Sequence, residues 1–402
     1  MFGCLRTDYW QKLSPEWKLL CIASRFRLNS GEKQALSQLC GNKIDWGLFL
    51  KLVNYHGVCN LVSLNLLTEG QSLLPGNIRD ELKQNRTRIA KRNLYLQKQL
   101  LDIFEIFESN SIPAIPIKGI TLSQKIYGDL TVRHSRDLDI LIKQDDLFRC
   151  DELLLSENYN RVEPALDIRK IPENYVFRML HSFTYIMPDR NGYVDIHWCL
   201  TQFPYLSGDL YFDAGKTGTV KISNKDLNLA SLQDILLYLI IHGANSPRQR
   251  LIWLNDIANI FRLHHDKVNF SEVYKQAKKL GFERSVAQAM YMVNTLFATP
   301  IPDEINPHGT KTELSLDLMI RITYAKLLTS PNGKSNTLAS IKRLFLIYCH
   351  RFLLVPGVGY KLTCIIKLFQ PGMLDFPHWL PDRLYYLAYF FRPFGVIKRL
   401  FK

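Results

Sequence analysis

The first 110 residues carry apolar side chains at helical spacing, and the clearest run covers residues 78–110. In that run, apolar positions recur every three or four residues between charged ones. They are Ile78, Leu82, Ile89, Leu96, Leu100, Ile103 and Phe107. The pattern predicts one long helix with a packed stripe and a solvated basic face, within an N-terminal region that is helical throughout.

The pattern changes at residues 112–129, IPAIPIKGITLSQKIYGD. Two prolines with Ile115 and Ile117 favour a short strand, and the Lys118-Gly119 pair that follows favours a turn. A helix is predicted from about residue 120 to residue 127. This is the first segment of the chain in which a strand runs through a turn into a helix.

More strand patterns follow. The apolar run from Leu138 to Ile142 predicts a second strand, and residues 143–158 predict a helix. Residues 181–200 contain two strand-like runs on either side of an Asp-Arg-Asn-Gly sequence at residues 189–192. Asn-Gly between alternating apolar runs is a strong signal for a β-hairpin.

After about residue 215 the apolar spacing is helical again, and a polar linker with Gly and Pro, TSPNGKSN, precedes a distinct tail. The predicted fold class is α+β, with a small mixed sheet between helical flanks. The chain divides into a helical N-terminal region, an α/β core, a helical C-terminal domain and a basic, aromatic-rich helical tail, at residues 1–110, 111–215, 216–330 and 331–402.

The composition is that of an ordinary globular protein. The 402 residues are 47% hydrophobic and 22% charged, which argues against a disordered chain. A formal net charge of +14 and a pI near 9.3 favour polyanionic partners, whether nucleotides, nucleic acid or an anionic membrane surface. The sequence contains no recognised nucleic-acid-binding module, so it does not support specific nucleic-acid binding.

Cysteine usage and hydropathy bear on the compartment. The eight cysteines are scattered through apolar contexts, and none lies in a Cys-x-x-Cys pair, so we expect reduced thiols. The N-terminal residues are too polar for a signal peptide, and no apolar run approaches the ~20 residues of a spanning helix. The expected location is the cytoplasm, in solution or peripheral at the inner face of the membrane.

Two carboxylates interrupt the second predicted strand, in the segment VRHSRDLDILI. Alternate side chains of a strand share a face, so Asp137 and Asp139 lie side by side. Left unpaired they would repel each other, and a divalent cation between them would remove that penalty. Carboxylate oxygens suit Mg²⁺. The other interpretation, which the sequence leaves open, is a structural pairing with Arg133 and Arg136.

A third carboxylate comes from the predicted hairpin. In GYVDIHW, Val194 and Ile196 face one side, so Asp195 and His197 face the other. If this strand lies beside the Asp-x-Asp strand, Asp195 joins the pair. Two metal ions roughly 3.5 to 4 Å apart could then clamp the attacking and leaving oxygens of a displacement at phosphorus. His197 is open to two interpretations, packing below the site or acting in it.

Phosphate groups also need donors. Lys118-Gly119 precedes a helix whose first N–H groups could take a phosphate, with Gly119 permitting close approach and Thr121 adding a hydroxyl. Arg133 and Arg136 could supply charge-assisted hydrogen bonds to the remaining phosphate oxygens.

These motifs carry a resemblance. A Gly at a strand-to-helix turn, then Asp-x-Asp, then a lone Asp in a later strand is similar to the nucleotidyltransferase superfamily typified by DNA polymerase β. More narrowly, PIKGITLSQKIYGDLTVRHSRDLDILI, YVDIHW and HGANSPRQRLIWLNDIANI resemble the bacterial family called uncharacterised nucleotidyltransferases, over about residues 40–265.

The resemblance implies roles for particular residues. Asp137 and Asp139 match the metal-binding pair, Asp195 matches the third carboxylate, and Lys118-Gly119 matches the turn. Where the wider superfamily has Gly-Ser, this chain has Ile120 after the glycine, so the serine that contacts the nucleotide phosphate is missing.

The sequence therefore predicts a metal-dependent nucleotidyltransferase that uses two Mg²⁺ ions, or Mn²⁺ in their place. It would move the NMP group of an NTP such as ATP to an unidentified hydroxyl-bearing acceptor and release pyrophosphate. The alternative is a non-catalytic or membrane-associated binding protein that keeps the same fold. The sequence does not identify the acceptor or the oligomeric state.

The tail from Lys342 onward has ten Lys and Arg residues against only Asp375 and Asp382, with aromatic and aliphatic residues between them. Such a composition is typical of interfacial helices on anionic membranes, and also of helices packed on a core with a basic outer face. Both interpretations stay open. His242 and Asp256, on predicted helices beside apolar groups, favour helix hydrogen bonds or caps over contact with a base or an acceptor.

Overall fold

The computed structural model describes residues 9–165, 168–171, 173–202, 205–212, 217–246, 250–302, 314–328 and 337–369. Its helices are α1 (Pro15–Ala23), α2 (Ser30–Cys40), α3 (Trp46–His56), α4 (Cys59–Glu69), α5 (Gly76–Ser109), α6 (Ile120–Tyr127), α7 (Leu147–Ser156), α8 (Glu173–Met179), α9 (Leu232–Asn245), α10 (Leu251–His264), α11 (Phe270–Lys279), α12 (Glu283–Phe297), α13 (Leu314–Leu327), α14 (Thr337–Leu354) and α15 (Val358–Phe369). Its strands are β1 (Ala114–Pro116), β2 (Asp137–Ile142), β3 (Asn160–Glu163), β4 (Ser182–Ile186), β5 (Tyr193–His197), β6 (Cys199–Gln202), β7 (Tyr205–Ser207), β8 (Thr217–Ile222) and β9 (Lys225–Ala230).

The described N-terminal residues form mainly helices, as the apolar spacing predicts. The long helix α5 runs from Gly76 to Ser109, and every apolar position of its predicted stripe is buried. Its polar Asn93 is also buried, and it holds the loop before β2 by donating to the backbone carbonyls of Leu130 and Arg133, at 2.6 and 2.8 Å. The helix therefore supports the segment that leads into the Asp-x-Asp strand.

The central sheet has five strands in the order β1-β2-β5-β4-β3. Strands β2 and β5 run parallel, while the β1-β2, β5-β4 and β4-β3 pairs are antiparallel. Helices flank this small mixed sheet on the N-terminal and C-terminal sides of the sequence, which confirms the α+β fold class. The predicted hairpin around the Asn-Gly turn is the β4-β5 pair.

The chain after residue 215 differs from the helical expectation. Residues 217–230 form the antiparallel hairpin β8-β9 before the helices resume. Its signal is the alternation of buried Val220 and Ile222, then Leu227 and Leu229, across a two-residue turn. The turn is Ser223-Asn224 and lacks glycine, with Ser223 at φ 55°, so the usual marker of a tight hairpin is missing.

One continuous hydrophobic core joins the helical flanks to the sheet. It includes Leu19 of α1, Leu141 of β2, Ile240 of α9 and Leu327 of α13. No helix in the described part of the chain combines the length and apolar character that a membrane crossing needs. The predictions for residues 370–402 of the tail fall outside the described residues.

Candidate metal centre

The register of β2 and β5 brings the predicted carboxylates together. Asp139 lies opposite Asp195, and Leu141 lies opposite His197. Between them, Leu138 and Ile140 are buried in the core, so the alternation predicted from the sequence holds in the structure. Two segments that are far apart in the chain thus place Asp139, Asp195 and His197 at one position of the sheet.

Asp139 is the most strongly held carboxylate of the group. Its Oδ1 accepts hydrogen bonds from Lys118 Nζ at 3.2 Å and from His197 Nε2 at 3.1 Å. Burial by itself raises the pKa of Asp139, but Lys118 and His197 outweigh it and lower that pKa below its usual range. Asp139 is therefore ionised at neutral pH.

The other two carboxylates are destabilised as anions. Burial, reinforced by the charges of Asp139 and Asp195, raises the pKa of Asp137 to about 7. Burial and Asp139 also raise the pKa of Asp195, although the Thr184 hydroxyl donates a 2.6 Å hydrogen bond to its Oδ1. Like charges that crowd a partly buried site raise pKa values in this way, and a cation between them reverses the effect.

The donor set fits a divalent cation. Ligand atoms of Asp139, Asp195 and His197 all lie within 4.8 Å of one another. Lys118 supplies one positive charge to three carboxylates, so the ionised cluster is left with negative charge that a divalent ion would balance. Carboxylate oxygens suit Mg²⁺, and an imidazole nitrogen adds a preference for transition metals such as Mn²⁺. Asp137 is outside this compact group but close enough for its pKa to respond to Asp139.

The Lys118-Gly119 turn lies beside the carboxylates. Gly119 has φ 71° and ψ −135°, a conformation that only glycine adopts readily, and it is the N-cap of α6. A Cβ at Gly119 would lie 3.5 Å from the Asp137 carbonyl oxygen and 3.6 Å from Ser135 Oγ. Both are ordinary contact distances, so this position needs glycine for its backbone conformation and not for lack of space.

Two predicted phosphate ligands have other partners nearby. The Lys118 ammonium pairs with Asp139 and lies 5.5 Å from the centre of the Tyr238 ring. Burial lowers the pKa of Lys118, but Asp139 and Tyr238 raise that pKa by more than burial lowers it, so the net shift is upward. Thr121 is fully buried, and its hydroxyl donates to the Lys118 carbonyl at 2.9 Å, which closes the turn.

The structure shows which carboxylate neutralises Arg133. Its side chain is 8% exposed, and its Nε donates to Asp256 Oδ2 of α10 at 2.8 Å. The Tyr127 hydroxyl donates to the other oxygen of Asp256 at 2.9 Å. Of the two interpretations left open by the sequence, a structural ion pair is the one observed, but its partner is Asp256 and not Asp137 or Asp139. The pair links α10 to the loop before β2.

Arg136 is placed differently. It is exposed at the entrance to β2, and its carbonyl accepts a 2.7 Å hydrogen bond from Arg92 Nη2 of α5. Burial, followed by the positive charges of Arg136 and Arg88, lowers the pKa of His134 to about 4. The entrance to β2 therefore carries positive charge from two segments, α5 and the loop.

The structure also places four residues near the site for which the sequence assigned no role or left the role open. His197 contacts Asp139 and belongs to the site, while Trp198 packs against Phe183 and Phe177. Thr184 orients Asp195 through a hydrogen bond. Alternation in β4 puts Thr184 on the face that the buried Phe183 and Tyr185 do not use, and this pattern could have identified Thr184 from the sequence. His242 is half-buried, and its ring packs between those of Tyr238 and Trp253.

Comparison with known proteins agrees with this geometry. Residues 42–298, more than half of the chain, match the family described as uncharacterised nucleotidyltransferase. The chain therefore belongs to that family. No curated protein and no solved structure matched the chain.

Proposed function

We propose that this member of the uncharacterised nucleotidyltransferase family transfers the NMP group of an NTP, such as ATP, to a hydroxyl-bearing acceptor. The observation that carries the proposal is the pairing of Asp139 with Asp195 across β2 and β5, with His197 beside them. Membership of the family supports the reaction class. The identity of the acceptor does not follow from the site.

Asp139, Asp195 and His197 would hold one divalent ion, and Asp137 with Asp139 would hold the second. When bound, two Mg²⁺ or Mn²⁺ ions stabilise the negative charge that develops on the phosphate and on the attacking and leaving oxygens. Thr184 and Lys118 each fix one carboxylate in this arrangement. The upward pKa shifts of Asp137 and Asp195 support this assignment, because a cation partner would favour their ionised forms.

The triphosphate would lie across the first turn of α6. The backbone N–H groups of Ile120 and Thr121 come directly after Gly119, where the helix dipole favours an anion. Arg136, which is exposed directly before Asp137, would add positive charge for the phosphates. Arg133, which is paired with Asp256, contributes no phosphate contact in this proposal.

The reaction is a displacement at the α-phosphorus. An acceptor oxygen forms a bond to that atom, and the bond to the oxygen that bridges the α- and β-phosphorus breaks. The electron pair leaves with pyrophosphate, and the hydroxyl proton passes to Asp195, the carboxylate beside the attacking oxygen in this proposal. Thr184 holds the carboxylate for this transfer through Oδ1.

The first test measures Mg²⁺-dependent binding of each NTP to the full-length chain by calorimetry, and then transfer of radiolabel from an α-labelled NTP to a lysate of acceptors. Asp139→Asn is expected to abolish both. Asp266→Asn removes an exposed carboxylate outside the site and is the matched control. Failure of the wild-type chain to bind any Mg²⁺-NTP would refute the proposal, and binding without transfer would favour the alternative, a binding protein that keeps the fold.

A further inference from the structure

The last two described helices expose apolar residues in an ordered way. On α15, Val358, Leu362, Ile365, Ile366 and Phe369 are between 45% and 74% exposed. Their spacing of four, seven, eight and eleven residues places them within an arc of about 100° on one face of the helix. An amphipathic helix of a globular protein normally turns such a stripe toward the core, and α15 turns it toward solvent.

The neighbouring helix repeats the arrangement. On α14, Ile341, Leu344 and Phe345 are 46%, 40% and 64% exposed and follow one another at helical spacing. The two helices contact each other. Exposed apolar side chains that are grouped in this way mark an interaction surface, whereas single ones are common on any protein.

The charge of the same segment restricts its partner. Residues 337–369 contain no Asp or Glu, and their bases include the exposed Lys342 on α14 and the half-buried Lys361 on α15. Lys361 comes one residue before Leu362, at the border of the apolar stripe, and its ammonium lies 5.4 Å from the centre of the Phe352 ring. A long basic side chain at such a border can reach the headgroups while the stripe enters the acyl region.

We propose that the outward face of α14 and α15 is a docking surface for an anionic lipid bilayer. The apolar stripe inserts at the boundary of headgroups and acyl chains, and the bases at its border pair with anionic headgroups. The sequence continues this composition beyond the described residues, with Arg383, Arg392, Lys398, Arg399 and Lys402 against Asp375 and Asp382. The surface lies outside the metal centre, so the inference does not depend on the proposed reaction.

The experiment is flotation of the full-length chain with two kinds of vesicle, pure phosphatidylcholine and equal parts of phosphatidylcholine and phosphatidylglycerol. The wild-type chain is expected to float with the anionic vesicles, to float less as salt rises, and to bind the neutral vesicles weakly. Leu362→Glu with Ile366→Glu is expected to lower the partition coefficient about tenfold or more, because two carboxylates then enter an apolar, anionic boundary.

A matched control separates this surface from exposed apolar residues elsewhere. Leu94 and Leu155, on α5 and α7, are 54% and 41% exposed, so Leu94→Glu with Leu155→Glu adds the same charges at other sites. This variant is expected to float like the wild type, and so is Asp139→Asn. Hydrogen exchange gives the second readout, with slower exchange of residues 358–369 on anionic vesicles.

Three outcomes would overturn the proposal. The first is that the wild-type chain does not float with anionic vesicles. The second is that the Leu362→Glu, Ile366→Glu variant floats equally well. The third is retention on single-stranded RNA with no vesicle binding, since a polyanion without an apolar phase makes no use of the stripe.

Discussion

The Arg133 guanidinium and the Asp256 carboxylate form a buried ion pair, with Nε and Oδ2 2.8 Å apart. It links the loop before β2 to α10 across more than a hundred residues of sequence. Burial by itself raises the pKa of Asp256 and lowers that of Arg133, and each partner opposes this loss of charge in the other. The pair stabilises the fold only as long as both members are present.

Removing one member should therefore be costly. Asp256→Ala is expected to lower the free energy of unfolding by roughly 3 to 5 kcal/mol, because it leaves Arg133 charged and buried without a partner. Urea unfolding followed by circular dichroism measures this change. The double variant Arg133→Met, Asp256→Leu should recover most of the loss. If Arg133→Met instead left stability unchanged and weakened NTP binding, Arg133 would be a phosphate ligand.

This pair also shows where sequence reasoning stops. Strand alternation predicted correctly that Asp137 and Asp139 share a face, because period 2 is a local property. The partner of Arg133 depends on how α10 packs against the sheet, which no local pattern records. The contact between His197 and Asp139 was likewise beyond local patterns, since it depends on the register of β2 against β5.

The hairpin β8-β9 was not predicted from the sequence, for another reason. Residues 217–230 alternate as a strand pair should, but Ser223-Asn224 offers no Gly to mark the turn. By contrast, the β4-β5 hairpin was predicted correctly because Asn191-Gly192 lies at its tip. Turn chemistry, more than apolar alternation, decided which hairpin the sequence revealed.

Gly119 is expected to be required for nucleotide binding. Gly119→Ala places a side chain at φ 71° and ψ −135°, at a cost of about 1 to 3 kcal/mol in stability, and relief of that backbone strain would reorient the N–H groups at the start of α6. The measured Kd for Mg²⁺-NTP should rise. Gly128→Ala is the matched control, since Gly128 ends the same helix at φ 73° with open space around it. Equal nucleotide affinities in the two variants would contradict the role of this turn.

Stability should fall in mild acid because buried histidines stay neutral in the fold. Burial, helped by the charge of Arg250, lowers the pKa of His56 to about 3. In the unfolded chain His56 has an ordinary histidine pKa of ~6.5. Below that pH the unfolded state therefore binds a proton at His56 and the folded state does not. The stability that His56 contributes is thus present above pH ~6.5 and is lost as pH falls toward 3.

The size of this effect can be checked by urea unfolding at several pH values. Each such histidine contributes a slope of about 1.4 kcal/mol per pH unit within that window. His56→Asn should flatten the dependence by about this slope, whereas His265→Asn changes an exposed histidine and should not. Parallel curves for wild type and His56→Asn would show that His56 titrates alike in both states.

The last prediction concerns the nitrogen in the metal centre. His197 lies within the same 4.8 Å group as Asp139 and Asp195, and its side chain is only 6% exposed. If the imidazole binds the ion directly, a nitrogen nucleus adjoins the metal. Mn²⁺ reports this in pulsed electron paramagnetic resonance, which detects coupling to a bound nitrogen without any turnover.

Wild-type chain loaded with Mn²⁺ should show this nitrogen coupling, and His197→Gln should lose it together with more than about tenfold in Mn²⁺ affinity. His181→Gln is the matched control, because its ring centre lies 5.8 Å from that of His197 yet it is not in the ligand group. Its spectrum should equal that of the wild type. A wild-type spectrum without nitrogen coupling would mean that His197 acts only by holding Asp139 through Nε2, and that the ion is bound by carboxylate oxygens alone.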